Sequence, residues 1–254
     1  ATLIGNPQNM LIGQRLRMSF AGYMVDAAVP AALGLIAVWW VVRRSVRGRW
    51  HAETLVPTLH AEPFEAWRSA KGLALMAVLM AVFLATSWPR DVAALAAAGV
   101  LLLSRRTSSR TLLGLVDWQL LVLFAGLFVV NYAVESTGAL ESAVAWATSH
   151  HLDPTRPVPL FLGAVVLSYL VSNVPAVMLL LPSAQDAHAG AILALASTLA
   201  GNLLVVGSIA NIIVIDQAAR LHVRITWWDH AKVGIPVTLA TLALAAAWLA
   251  LVSR

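Results

Sequence analysis

Seven apolar stretches, at about 27–42, 72–88, 91–104, 118–133, 158–182, 190–206 and 233–252, constrain this chain more than any motif. Several approach the roughly 20 apolar residues that carry a helix across a bilayer, and none alternates like a strand of a membrane barrel. With 60% hydrophobic and 11% charged residues among 254, the expected class is an all-α polytopic membrane protein. Cysteine is absent, which removes disulfide frameworks, thiol nucleophiles and Cys-based metal sites. A net charge of +5 would suggest nucleic acid in a soluble protein. Here the arginines cluster between apolar stretches, so the expected surroundings are membrane lipid and no nucleic acid. The chain starts at Ala1 without the charged-then-apolar order of a signal peptide, and it reads as the C-terminal part of a longer protein.

The connections give an orientation. RRSVRGR (43–49), RRTSSR (105–110) and RLHVRITWWDHAK (220–232) are basic, whereas SWPRD (87–91) and residues 135–157 are nearly not. Cytoplasmic placement of the basic connections puts twelve Lys/Arg inside and leaves five outside (15, 17, 90, 156, 254), a bias of the kind that sets topology. That split requires residues 158–182 to enter and leave on one side. The same stretch carries Ser172, Asn173 and Pro175 at its centre, an interruption where lipid offers no hydrogen-bond partner. A re-entrant helical hairpin with SNVP at its tip satisfies both observations, the other reading being one Pro-kinked span. Trp39, Trp40, Trp50, Trp88, Trp118, Trp227 and Trp228 lie at or near segment ends, as an aromatic belt does. GALESAVAWATSHH (138–151) has the look of a short interfacial helix. His51, His60, His150, His151 and His230 fall in connections and read as solvated surface.

Two further interruptions repeat one pattern. LIGNPQNMLI (3–12) aligns with VVGSIANIIV (205–214): Gly5 faces Gly207, Asn6 faces Ser208 and Asn9 faces Asn211. By the orientation above the copies run in opposite directions. Glycine permits unwinding, and Pro7 removes a donor, so each copy exposes carbonyls. Such groups cost several kcal/mol or so in hydrocarbon unless something binds them. A sodium ion or polar substrate would do so, with Asn and Ser as neutral ligands and half-helix N-termini favouring anions. Discontinuous helices in inverted repeats around a mid-membrane site are the design of secondary transporters. Close helix packing at small residues is the structural alternative.

At these residues the chain resembles the ion transporter superfamily of arsenite permeases, NhaD-type sodium/proton antiporters and divalent-anion/sodium symporters (SLC13-like permeases). TLIGNPQNMLIG is similar to a first-repeat loop with a Gly-Thr-Pro-Pro-Asn core, with Asn6 and Gln8 departing from it. SNVPA resembles a Ser-Asn-Thr hairpin tip with Val174 in place of Thr, and GSIAN matches the second loop at Gly207 and Asn211. DWQLLVLFAGLFVV (117–130) looks like the helix before the outer hairpin in the arsenite permease branch. The resemblance implies scaffold and transport parts that move against each other, a homodimer, and a first hairpin missing from this chain. It divides the chain into 1–26 (end of the first repeat), 27–71 (scaffold helix and cytoplasmic connection), 72–133 (scaffold helices), 134–221 (interfacial segment, hairpin and broken helix) and 222–254 (final span). It also implies one cation position among Ser172, Asn173, Gly207, Ser208 and Asn211. A second involves Thr2, Gly5 and Asn9, and Asn6, Gln8, Ser172, Asn173 and Val174 lie where substrate is read.

Sodium symport needs only neutral oxygens, whereas proton coupling needs a titrating group in the pathway. Asp216 is the candidate, against its reading as an i,i+4 partner of Arg220. The expected function is a permease of the cell membrane, prokaryotic inner membrane in type, moving a small inorganic or organic anion. Na+ or H+ is the coupling ion, and neither cofactor nor enzymatic activity is expected. A sodium/proton antiporter or arsenite efflux permease is the alternative. A channel using the same carbonyls, or a hydrolase with Ser172 or Ser208 as nucleophile, are more distant ones; the hydrolase would need a base in reach, and His188 is expected near the outer surface.

Overall fold

The computed structural model describes residues 2–46, 65–103, 108–186 and 188–252. Basic positions 47, 49, 105, 106 and 254, with Trp50, His51 and His60, lie outside the described residues. In chain order the α-helices are α1 (Pro7–Arg15), α2 (Phe20–Val46), α3 (Ala66–Ala85), α4 (Arg90–Leu102), α5 (Ser109–Gly114) and α6 (Trp118–Ser136). They continue with α7 (Ala139–Ser149), α8 (Pro157–Val171), α9 (Asn173–Leu180), α10 (Ala189–Ala200), α11 (Ile209–Arg220) and α12 (Trp227–Val252). No strand occurs among the described residues, in keeping with the all-α expectation. By length and composition α2 and α12 suffice to cross a membrane, and shorter apolar helices occur within α3, α6 and α8–α10.

The chain forms two compact units, one of residues 51–126 and one of residues 1–50 with 127–254. In the smaller unit α3 and α4 pack as neighbours. Thr86 ends α3 by returning its hydroxyl to the Val82 carbonyl at 2.7 Å, and Pro89 sits at the cap of α4. Leu73, Met76, Val78 and Leu95 are exposed, an apolar outside suited to lipid rather than water.

The larger unit is organised by α2 and α12. The buried positions of α2 are Phe20, Tyr23, Ala27, Pro30, Gly34 and Val41, a stripe at spacings of three and four as far as Gly34 and then of seven, two turns on the same face. The helix therefore begins at Phe20, seven residues before the apolar stretch starting at 27, because Phe20 and Tyr23 extend its buried face. On α12 the stripe is Gly234, Val237, Thr238, Thr241, Ala245 and Leu249. The indole N–H of Trp248 donates to the Asp26 carbonyl at 2.8 Å. A Cβ placed on Gly34 would meet Thr241 Cγ2 at 3.4 Å. Numbers rising on one helix while falling on the other make the pair antiparallel, and its small residues let the backbones approach.

Against this pair lies α10, and α8 and α9 pack on α10 in turn. Pro157 opens α8, where its missing N–H costs nothing. Just before it, the N–H and hydroxyl of Thr155 bond the Asp153 carboxylate at 3.0 and 2.8 Å and hold it below the usual carboxylate range. The chain breaks at Ser172 (φ 73°, ψ 163°) and folds back, so that a Cβ on Gly163 would stand 3.8 Å from Leu180 Cδ1. A continuous helix would set those two residues about 25 Å apart. Helix α10 is Ala-rich and buried along almost its whole length. Its small side chains let α1, α2, α8, α9 and α12 all pack on it.

Candidate functional site

The first interruption precedes α1. Pro7 stands in the first turn, and Asn6, in extended conformation, caps the helix by accepting the Asn9 N–H on Oδ1 at 2.8 Å. That bond fixes the Asn6 side chain so that Nδ2 reaches Thr198 Oγ1 on α10 at 3.0 Å. Gln8 Nε2 points to the same hydroxyl at 3.4 Å. One turn inward, Asn9 Nδ2 donates to the Thr2 carbonyl at 3.3 Å and to the Tyr23 hydroxyl at 3.1 Å. Its Oδ1 is left buried with no hydrogen-bond partner, an arrangement that costs about 1–3 kcal/mol when nothing fills it. Thr2, Gly5, Asn6, Asn9, Tyr23 and Thr198 line a cavity of about 220 Å³, closed by apolar residues of α2 and α10.

The second interruption begins where α10 stops at Ala200, earlier than the apolar stretch to 206 suggests. Residues 201–208 run through a turn and the 3₁₀ turn Val205–Gly207 to Ser208, the extended cap of α11. Asn211 Nδ2 donates to the carbonyls of Gly201 (2.8 Å) and Leu204 (3.2 Å). Asn173 Nδ2, with the amide oriented by its partners, donates to those of Gly207 and Ser197, both at 3.0 Å. Gly201 is required here. A Cβ at that position would stand 2.6 Å from the Asn173 amide and 3.1 Å from Ser208 Cβ.

The structure thus brings Asn173, Gly207, Ser208 and Asn211 together around Gly201, with Ser172 at the adjoining break and Val174 buried behind it. It brings Thr2, Gly5, Asn6, Gln8 and Asn9 together around Thr198. Both sets close on the last turn of α10. One expectation is corrected. The carbonyls of the second interruption are not naked: those of Gly201, Leu204 and Gly207 accept N–H groups from Asn211 and Asn173, as does that of Ser197 in α10, because a side-chain amide is a ready donor. Leu204 and Ser197 each accept a backbone N–H as well, so a cation there would take the second lone pairs of Gly201 and Gly207.

Asp216 lies outside both sets, in an exposed ion pair with Arg220 at 2.9 Å, the i,i+4 arrangement already open in the sequence. His230 is not a solvated connection residue. It is half-buried in the first turn of α12, with Nε2 3.1 Å from the Asn202 carbonyl. Sequence reasoning missed Tyr23, Ser197, Thr198 and Gly201. The stretch ASTLAGN (196–202) held the signal, two hydroxyl residues and a glycine at the end of an apolar run.

Residues 1–200 match the family described as the citrate transporter, CitMHS. The chain is 28% identical, over 98% of its length, to an uncharacterized transporter of Mycobacterium tuberculosis. It is 32% identical, over 94%, to the inner membrane protein YbiR of Escherichia coli. Against the silicon efflux transporter LSI3 of Oryza sativa subsp. japonica it is 34% identical over 51%, which covers 30% of that protein. The chain spans 63% and 59% of the first two relatives, about three-fifths of each. No solved structure matches it. The all-helical architecture, the interruptions and the match over residues 1–200 agree: the chain belongs to the citrate transporter family, within the ion transporter superfamily.

Proposed function

We propose that the chain is the larger part of a secondary active permease of the cell membrane, moving a small anion by alternating access under a sodium or proton gradient. The observation that carries this reading is the convergence of both interruptions on the last turn of α10. Side-chain amides and main-chain carbonyls there offer neutral oxygens to a cation, and Asn9 Oδ1 is already buried and unpaired. The N-termini of α9 and α11 carry no side-chain cap, which leaves N–H groups for an anion.

In this reading α8 and α9 form a re-entrant hairpin with its tip at Ser172. Their fold-back at Gly163 and Leu180 supports it. The inverted-repeat reading draws support from features shared by α1–α2 and α11–α12. Each pair starts at an extended polar cap (Asn6 φ −158°, Ser208 φ −146°). Each short helix ends near a left-handed residue (Arg17 φ 50°, His222 φ 61°). Each long helix contains one proline, Pro30 or Pro236. A homodimer through scaffold helices, multi-pass insertion and an inner-membrane location belong to the same proposal.

A second reading concerns the solute. Among the described residues no carboxylate, ammonium or guanidinium lines the 220 Å³ cavity, which suits a small neutral hydroxylated solute as well as an anion. The name of the rice relative, a silicon efflux transporter, points the same way. Vesicles containing the full-length gene product separate these readings, with flux of citrate, arsenite and silicic acid measured under imposed Na+ or H+ gradients. Gradient-driven flux that Asn173→Ala and Asn211→Ala each reduce more than about tenfold, at unchanged expression, is the expected result. Flux indifferent to both substitutions removes the site, and flux without saturation or counterflow replaces the permease with a channel.

A further inference from the structure

The second interruption is held from a side that its asparagines do not account for. The Asn202 carbonyl lies against α12, where a Cβ on Gly234 would stand 2.5 Å from the oxygen. Only glycine allows so close an approach. Over this notch the His230 imidazole places Nε2 at 3.1 Å from the same oxygen. A carbonyl accepts and does not donate, so Nε2 bears the ring hydrogen and Nδ1 is the nitrogen left with a lone pair. Neither interruption, at residues 2–9 or 201–211, contains an acidic or basic residue. Histidine is the side-chain type that changes charge between pH 5 and 8.

We infer that His230 is a positioning residue that couples protons to the second interruption: its imidazole latches the Asn202 carbonyl into the Gly234 notch, and its protonation at Nδ1 disfavours a cation held by the neighbouring oxygens. The inference rests on the cation position proposed above. A proton arriving at Nδ1 keeps the Nε2–H···O bond and adds a positive charge beside the unwound segment. Proton and metal cation then oppose each other without sharing a ligand, and by linkage each weakens the other equally.

The charged groups around the ring are few. On α12 they are Asp229, tied by its carboxylate to the N–H and hydroxyl of Thr226 at 3.1 and 2.6 Å, and Lys232. The connection before α12 holds His222 and Arg224. The antiparallel register of α2 carries Arg43 and Arg44 toward the level of this turn, each lying over its own tryptophan, Trp39 or Trp40. Helix α10 contributes none. Cations outnumber the one carboxylate, so a further positive charge here meets no surplus of acceptors.

The test uses the full chain in lipid nanodiscs with sodium as the probe. Sodium-dependent thermal stabilisation is titrated at pH 8 and pH 5.5 in wild type and His230→Gln, whose amide keeps a donor for Asn202 without a titrating charge. The expected result is an apparent sodium affinity about tenfold weaker at the acid pH in wild type and nearly equal at the two pH values in His230→Gln. The same pH dependence in both proteins overturns the inference and leaves the cation site standing. Absence of any sodium response in wild type removes the cation site, and the coupling with it. His230→Ala adds a control: sodium affinity lower at both pH values supports the latch, and wild-type behaviour overturns it.

Discussion

Asn6 Nδ2 and Thr198 Oγ1 are 3.0 Å apart although 192 residues separate them in the chain. Thr198 also takes the Gln8 amide, so one hydroxyl orients the start of α1. Thr198→Val keeps the volume and strands two amides, which should cost about 1–3 kcal/mol and lower gradient-driven flux more than about tenfold. Thr198→Ser should restore most of both. Thermal unfolding and vesicle flux read the two effects, and a Val variant equal to wild type in each would show that the contact is idle.

Glycine positions offer a paired comparison. Gly201→Ala drives a Cβ to 2.6 Å from the Asn173 amide, whereas Gly99→Ala meets nothing within 4 Å. The first should destabilise by about 1–3 kcal/mol through overpacking and abolish transport. The second should stay within about 0.5 kcal/mol of wild type or gain slightly from helix propensity. Equal melting points for the two variants would contradict the close approach.

Ser172 occupies φ 73° and ψ 163°, a region that costs a residue with a Cβ about 1–3 kcal/mol. Ser172→Gly should therefore raise thermal stability and, by removing the hydroxyl at the tip, reduce flux. Stability gained together with activity lost is the expected signature. A variant that loses stability would show that the hydroxyl, and not the backbone, dominates.

Asp216 and Arg220 are more than half exposed, and an exposed pair is worth about 0.2–1 kcal/mol. Asp216→Asn should leave the melting point within a few degrees and the pH profile of transport unchanged. A shifted pH profile would return Asp216 to the proton pathway.

Asp153 gives a pH effect whose sign follows from its partners. The N–H and hydroxyl of Thr155 hold its carboxyl below the usual range, so the turn gains stability that is present above the unfolded carboxyl value and lost as pH falls through the folded one. Thr155→Val removes one of the two bonds and should raise the Asp153 titration midpoint, seen directly by NMR of the side-chain carboxyl. An unmoved midpoint would mean that the hydroxyl bond contributes nothing.

Much of the helical plan was readable from the sequence because hydropathy reports where backbone must satisfy itself. The break at Ser172 and the one before Ile209 announced themselves through polar residues inside apolar runs. What remained hidden was what the breaks lean on. Thr198 and Gly201 look like ordinary end-of-helix residues until their partners arrive, Asn6 from 192 residues away for the one and Asn173 from α9 for the other, and no periodicity records such a meeting. His230 sits among charged neighbours in sequence and was placed with them, although the glycine four residues later opens the notch that draws a carbonyl to its ring. From sequence alone the amides of Asn173 and Asn211 read as oxygen ligands. Their nitrogens turned out to be the atoms in use, since the freed carbonyls present acceptors and an amide can supply either half.

The final turn of α10 has a mechanical consequence. A single coil of backbone, residues 197–201, braces the first interruption through a hydroxyl and the second through two carbonyls. In the permease proposed above, tightening around a guest at one interruption would pull on that common strut, and the other would re-aim its own groups in response. Communication between two such occupants would then require no relay through distant parts of the molecule.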